Sequence, residues 1–341
     1  MNGKCAPDPE LHLVQSEAAT CGTASPGDLA PDDSGARVCA PCSSCQREGL
    51  QSSIGVRPTT AKRERQTEVR KALAQRFSTT LPELLESLDG FRVEIDAEKQ
   101  RADIVLENPP LNVITMKQRD QLYAVFNELD RDPALRVIVV RGAGENFSSG
   151  GDIPGFMAQT PERLSELARN VAAPERCHKP VIAAIRGYCF GVAFELALAC
   201  DFRIVTQSAL LGFPEQRIGM IPGSGGSARL LHMIGIGRAK DVVMRSRRIS
   251  GEEAFAWGIA VSAVPDDQLD AAVASLVEEL KFFSPLAQRT AKSVINEAQD
   301  ATLHSGIELE GQAYGRLRGT HDFAEGVESF KQRRKPKFEG R

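Results

Sequence analysis

The chain has 341 residues, 42% of them hydrophobic and 26% charged, the balance of a soluble globular protein that can bury one large core or two modest ones. A formal net charge of −3 gives no bulk attraction to nucleic acid or to an anionic membrane, and no apolar run reaches the roughly eighteen residues that a membrane span needs. Met1 to Glu10 lacks a basic segment followed by an apolar one, so no secretory signal is read and a cytoplasmic setting is expected.

Residues 1–60 are rich in Pro, Ser, Asp, Gly and Ala with scarcely any aliphatic periodicity, so burial cannot offset the entropy of ordering them, and a disordered tail is expected. Five of the eight cysteines lie here. Cys39, Cys42 and Cys45 have metal-like spacing, but a structural zinc site needs a fourth ligand, and the nearest candidates are Cys21 and His12. The reading adopted is a reduced, flexible tail with no metal. Residues 61–90 form a helical extension: a charged stretch leads into Leu81, Leu84, Leu85 and Leu88, an amphipathic spacing that can dock a short helix.

The globular core is expected over residues 91–265. Phe91, Val93 and Ile95 alternate, a polar turn follows at Asp96 to Gln100, and Ala102, Ile104 and Leu106 alternate again, which predicts an antiparallel hairpin at one edge of a sheet. A helical pattern from Met116 to Leu129 precedes the β-branched strand Val137 to Val140, which ends at Gly142. Thr160 as cap and Pro161 at the first helical position predict a helix through Ala172, followed by a strand from Val181 to Ile185. A glycine turn from Gly187 to Gly191, an apolar helix and strands at Phe202 to Val205 and Leu210 to Phe213 complete the alternation of an α/β fold.

Beyond Gly219 the chain reads as mostly helical: Ser227 to Ile234, Arg238 to Met244, then Ser250 with Glu253 as a capping box and Gly258 as a stop. Residues 266–341 are expected to form a C-terminal helical region, with helices from Asp267 to Phe283, Ser284 to Glu297, Ala301 to Arg318 and Asp322 to Lys331. Cys177, Cys189 and Cys200 sit in apolar settings and read as small hydrophobes.

One glutamate, Glu195, interrupts the apolar run Val192 to Cys200, and a second, Glu215, follows Phe213-Pro214. A carboxylate in such company must be hydrogen-bonded, paired, protonated or facing a cavity. Two glycine turns precede it, Phe147 to Ile153 and Gly187 to Gly191, the second immediately before the helix that carries Glu195. Amides at a helix start have no acceptor within the helix and favour negative charge, and in a dry site each can stabilise an oxyanion by about 3 kcal/mol.

In this order of turn, turn, Glu and Glu, residues 91–341 resemble the enoyl-CoA hydratase and isomerase family, the crotonases. The resemblance rests on Ser148 to Ile153, on Gly187 to Asp201, on Phe213 to Gly226, and on the tail from Asp322 to Phe338. It implies a crotonase-like spiral of repeated ββα units with a C-terminal helical region for trimerisation. It implies an oxyanion hole from the backbone N–H groups of Gly151 and Val192, coenzyme A beside Gly151, Asp152, Ile153, Pro154 and Val192, and catalysis by Glu195 and Glu215. The acyl-CoA thioester is then the partner, coenzyme A is part of the substrate rather than a cofactor, and a homotrimer or homohexamer is expected. Where the family usually carries three glycines, this chain has Gly191-Val192-Ala193, which narrows the approach.

The reaction expected is addition of water to a 2-enoyl-CoA. Hydrolysis of an oxoacyl-CoA and isomerisation of an enoyl-CoA are the alternatives on the same scaffold. RNA binding, known for some relatives, is the remote one and is disfavoured by the acidic charge balance and the retained carboxylates.

Overall fold

The computed structural model describes residues 81–341 together with two short strands, β1 (Leu29–Pro31) and β2 (Arg37–Cys39). These strands pair antiparallel, with Leu29 opposite Cys39, inside a unit of residues 1–67 that is separate from the unit 68–341. The disordered tail expected over the rest of residues 1–60, the Cys42 and Cys45 reading, and the extension over 61–80 lie outside the described residues. A six-residue helix at Leu81–Glu86 does dock, burying Leu84.

A six-stranded sheet orders its strands β11-β8-β6-β5-β4-β3. Strands β3 (Phe91–Asp96) and β4 (Arg101–Leu106) form the expected edge hairpin, with Phe91 opposite Leu106. From β4 onward, β5 (Val137–Gly142), β6 (Val181–Ile185), β8 (Phe202–Thr206) and β11 (Ser262–Val264) run parallel. Parallel strands covered on both faces need an unbroken apolar sequence, and β5 shows why. Ile138 and Val140 join one core with Phe126 and Phe194, while Val137 and Val139 join a second core with Val273 and Val277 of the Leu269–Phe282 helix.

A smaller sheet stands beside the first, ordered β10-β9-β7, from β7 (Tyr188–Phe190), β9 (Leu210–Gly212) and β10 (Ile249–Ser250). The chain therefore repeats one motif: a strand in the large sheet, a strand in the small sheet, then a helix. Strands β6 and β7 lead to the helix Val192–Ala199, and β8 and β9 lead to the helix Gly226–Met244. In the preceding turn of the spiral the second strand shrinks to one bridge, Ser148 to Cys189. This is the crotonase-like ββα spiral.

Two elements depart from the sequence reading. Residues 187–191 are not a plain turn, because Tyr188–Phe190 pairs in parallel with β9 and only the flanking Gly187 and Gly191 adopt positive φ. The helix expected from Pro161 to Ala172 is broken into Pro161–Ser165, Leu167–Val171 and Ala173–Arg176. Pro174 accounts for the last break, since the residue before a proline resists the helical conformation and its own nitrogen cannot donate. The capping predictions hold: Thr160 accepts from Arg163 N, and Ser250 and Glu253 form a reciprocal capping box.

The C-terminal region is helical, over Leu269–Phe282, Pro285–Gln299, Leu303–Leu317 and His321–Gln332. Among the described residues no helix is long and apolar enough to cross a membrane. The Pro285–Gln299 helix is held to the core by Lys292, whose ammonium reaches Asp201 Oδ2 at 2.7 Å and the carbonyls of Pro174 and Lys179. Asp201 also accepts from Val181 N at 2.7 Å, so its carboxylate joins the sheet to the helical region. Removing one member of so buried a pair strands the other charge. Lys292→Met is expected to cost about 3 kcal/mol in the urea unfolding free energy, and adding Asp201→Asn to restore most of it.

Candidate active site

The two glycine loops meet backbone to backbone. Ser148 N donates to Tyr188 O at 2.8 Å and Phe190 N to Ser148 O at 3.1 Å, lashing the first loop to β7. Gly150 has φ +114°, and a Cβ built on it would lie 3.0 Å from Phe190 O, so a side chain would push the loops apart. Next to it, Ile114 N donates to Gly150 O and Asp152 N donates to Ile114 O. In such a parallel bridge the bonded groups belong to the neighbours of Gly151, and its own N–H faces the other way.

The opposite donor comes from the helix Val192–Ala199. Gly191, at φ 55° and ψ −128°, turns the chain from β7 into that helix, placing Val192 at the first helical position with no acceptor one turn back. Val192 and Gly151 are neighbours, since a Cβ on Gly151 would sit 3.6 Å from Val192 Cγ1. Among the described residues these two amides have no protein acceptor, and both residues line one cavity.

Glu195 is one turn into the same helix and only 2% exposed, on an element whose eight residues are all buried. Its Oε1 accepts from Ser224 N at 2.6 Å and Gly226 N at 3.1 Å. The glycines of the 223–226 turn make this possible: Gly225 has φ +94°, and a Cβ on Gly226 would meet the ring of Phe213 at 2.5 Å and Glu195 Cγ at 3.0 Å. Burial raises the pKa of Glu195, while the two amides, and then the charges of Arg119 and Arg229, oppose that rise. With both amides held on Oε1, Oε2 is the oxygen left to exchange a proton.

Glu215 sits in the short 3-10 turn Pro214–Ile218 and is half-buried. Its Oε1 lies against Gly191, 3.0 Å from where a Cβ would be, and its Oε2 is buried without a hydrogen-bond partner. Burial, followed by the nearby charge of Glu195, pushes its pKa up to about 7. The two carboxyls are therefore unequal, Glu195 clamped by two amides and Glu215 left with one unpartnered oxygen, which suits a proton donor and acceptor working together.

Gly151, Asp152, Ile153, Val192, Glu195 and Glu215 all line this cavity of about 510 Å³. Pro154 does not; it is exposed in the Ile153–Met157 helix, and the Asp152 carboxylate is committed to capping that helix by accepting from Gly155 N at 3.1 Å. The three cysteines of the described core are held as thiols: burial pushes Cys177 and Cys200 up to about 12 and Cys189 well above its ordinary value.

Two contributors escaped the sequence reading. The Ser224 and Gly226 amides carry no side-chain signal. Arg119 carries one: with Leu122, Phe126 and Leu129 it falls at helical spacing on the buried face of the Met116–Arg131 helix. It is 8% exposed and lines the cavity, and burial pulls its pKa below the usual guanidinium range.

Known proteins share this arrangement of sequence and fold. A family model described as enoyl-CoA hydratase/isomerase matches residues 96–341. The carnitinyl-CoA dehydratase of Proteus mirabilis is 32% identical over 254 residues, covering 70% of this chain and 95% of that protein. A crystal structure of an enoyl-CoA hydratase from Bacillus anthracis matches with a TM-score of 0.70 and 33% identity, covering 74% of this chain and all of that one. One described as an enoyl-CoA hydratase/carnithine racemase from Magnetospirillum magneticum matches with a TM-score of 0.69 and 29% identity, covering 75% and 97% of the two chains.

The raised pKa of Glu215 has a thermodynamic consequence. The folded chain holds that proton more tightly than the unfolded one, so the associated stability is full below the ordinary value of 4.5 and is lost as the pH rises through about 7. Glu215→Gln removes the loss. Urea unfolding of variant and parent is expected to diverge between about pH 5 and pH 8, with the variant ahead by about 2 kcal/mol at the upper end.

Proposed function

The chain belongs to the enoyl-CoA hydratase/isomerase family, and we propose that within it the protein is a hydratase, adding water to a 2-enoyl-CoA or removing it in reverse. The observation that carries this reading is the pair of unequal carboxyls, Glu195 and Glu215, in one cavity with the Gly151 and Val192 amides. In the proposed course the thioester oxygen accepts from both amides, drawing electrons from the C=C bond. Glu215, ionised, takes a proton from the water whose oxygen attacks Cβ. Negative charge passes to the thioester oxygen, where the two donors meet it. Glu195 delivers the proton from Oε2 to Cα, and the enolate collapses to the 3-hydroxyacyl-CoA. One proton has then moved from Glu195 to Glu215, and exchange with solvent resets the pair.

Asp152 and Ile153 stand at the cavity wall, where coenzyme A is proposed to enter alongside Gly151. Ile153 is half exposed there, while Asp152 fixes the loop through its cap, so the contribution of Asp152 is positioning rather than direct contact with the thioester. The dehydratase name of the Proteus mirabilis relative favours the same lyase chemistry run in the opposite direction.

Assembly as a homotrimer, or a pair of trimers, is proposed for the C-terminal helices. They leave Leu303, Tyr314 and Phe330 at 82%, 74% and 85% exposure, a large apolar surface for one chain.

Three measurements test these readings. With crotonyl-CoA, Glu215→Gln and Glu195→Gln are each expected to lower kcat about a thousandfold while thioester affinity changes less than about tenfold. Release of free thiol from a 3-oxoacyl-CoA, or conversion of a 3-enoyl-CoA without hydration, points instead to the hydrolase or the isomerase. In the parent, kcat/KM is expected to fall tenfold per unit below a limb near pH 7, where Glu215 gains its proton. Tyr314→Asp with Phe330→Asp is expected to convert a trimer to monomers in multi-angle light scattering; a monomeric parent overturns the assembly.

A further inference from the structure

The proposed hydration leaves one buried charge of the cavity unused; the other arginine of the wall, Arg217, is exposed. Among the described residues the Arg119 guanidinium makes no hydrogen bond and no ion pair, and its Nε is buried with no acceptor. The other deeply buried arginine behaves differently. Arg203 gives its N–H groups to the carbonyls of Ile259, Ala197 and Cys200. Arg229, half-buried, is held by Glu175 and by Ser224 O. A guanidinium removed from water without such partners is costly to keep, and the cost is recovered where a ligand supplies the missing anion.

The position of Arg119 says which part of a ligand that would be. Its Nη2 lies 2.8 Å from where a Cβ on Gly151 would be, beside the amide assigned to the thioester oxygen. It therefore faces the acyl part. The phosphates of coenzyme A stay at the exposed end of such a molecule. Phe156, Leu164, Leu167, Ile218 and Ile221 supply much of the wall, so among the described residues Arg119 is the one buried cation in a mostly apolar chamber. Glu195 does not fill the need, since it lies beyond ion-pair distance and its Oε1 is already held by two amides. A planar fork of N–H donors matches a carboxylate better than a lone carbonyl or hydroxyl.

Resting on the acyl-CoA reading above, we propose that Arg119 selects substrates whose short acyl chain carries a carboxylate of its own, in preference to neutral acyl chains. The acyl group is then that of a dicarboxylic acid monothioester. Its free carboxylate meets the guanidinium while the thioester oxygen is held by Gly151 and Val192.

Equilibrium binding tests this without requiring turnover. Glutaryl-CoA and 5-methylhexanoyl-CoA have the same shape and differ in a terminal carboxylate against an isopropyl group. In calorimetric titrations the parent protein is expected to bind glutaryl-CoA about a hundredfold more tightly. Arg119→Met is expected to abolish that preference and Arg119→Lys to keep part of it. A parent that binds the neutral thioester as tightly as the charged one overturns the proposal, as does a preference that survives Arg119→Met. Failure of every CoA thioester to bind overturns the acyl-CoA reading and this proposal together, whereas binding without preference overturns this proposal alone.

Discussion

The site depends on the solvation of one carboxylate. Glu195 lies on a helix with no exposed face, and in hydrocarbon surroundings an ionised carboxylate is far too costly to keep without compensation. The compensation is a pair of backbone amides from the 223–226 turn, presented at the start of the helix Gly226–Met244, where the helix dipole is also positive. Backbone donors are fixed by the fold, so the carboxylate meets them without either side having to reorganise. That arrangement ties two successive turns of the spiral together, because Glu195 belongs to one and its donors to the next.

A second constraint follows from the first. For a buried carboxyl to act on a substrate, the substrate must be held within its reach, and the groups proposed to hold it are also main chain. Gly150 and Gly191 let two loops approach until each is at van der Waals distance from the backbone of the other. The Ile114 bridge then turns the Gly151 amide out of the ladder, and the helix start exposes the amide of Val192. Both donors are by-products of regular structure that ends at the right place. The sheet's role is to bring these ends to one spot: β5 and β6 lie side by side, and the loops that follow them are therefore neighbours.

What was legible in the sequence was what depends on periodicity or on a misplaced charge. The edge hairpin, the apolar β5 strand, the Ser250 cap and Glu195 each break or satisfy a local pattern, and the structure places them as their patterns require. Tyr188–Phe190 was read as part of a turn because three residues between glycines are too few to show alternation; pairing with β9, distant in sequence, makes them a strand. The break at Ala172 was hidden because a proline two residues on is equally compatible with a new helix. The amides of Ser224 and Gly226 were illegible in principle, since a backbone N–H has the same letter code wherever it points. Arg119 does leave a mark in the sequence: a cation on the stripe shared by Leu122, Phe126 and Leu129 breaks the pattern as plainly as Glu195 does.

The valine at 192, where the family usually has glycine, shows how backbone donors tolerate change around them. A substitution at the first helical position leaves the N–H in place, since φ near −60° suits any residue and valine has no difficulty there once Gly191 has made the turn. What changes is volume. Val192 is 5% exposed, and its Cγ1 would stand in ordinary van der Waals contact, at 3.6 Å, with a Cβ on residue 151. The added side chain becomes part of the cavity wall beside Gly151. Arg119 comes nearer still, since a Cβ on Gly151 would lie only 2.8 Å from its Nη2. The absent side chain at 151 thus leaves room for the guanidinium beside the valine, which makes this glycine the position that sets how near the cavity's buried charge comes to the Gly151 amide.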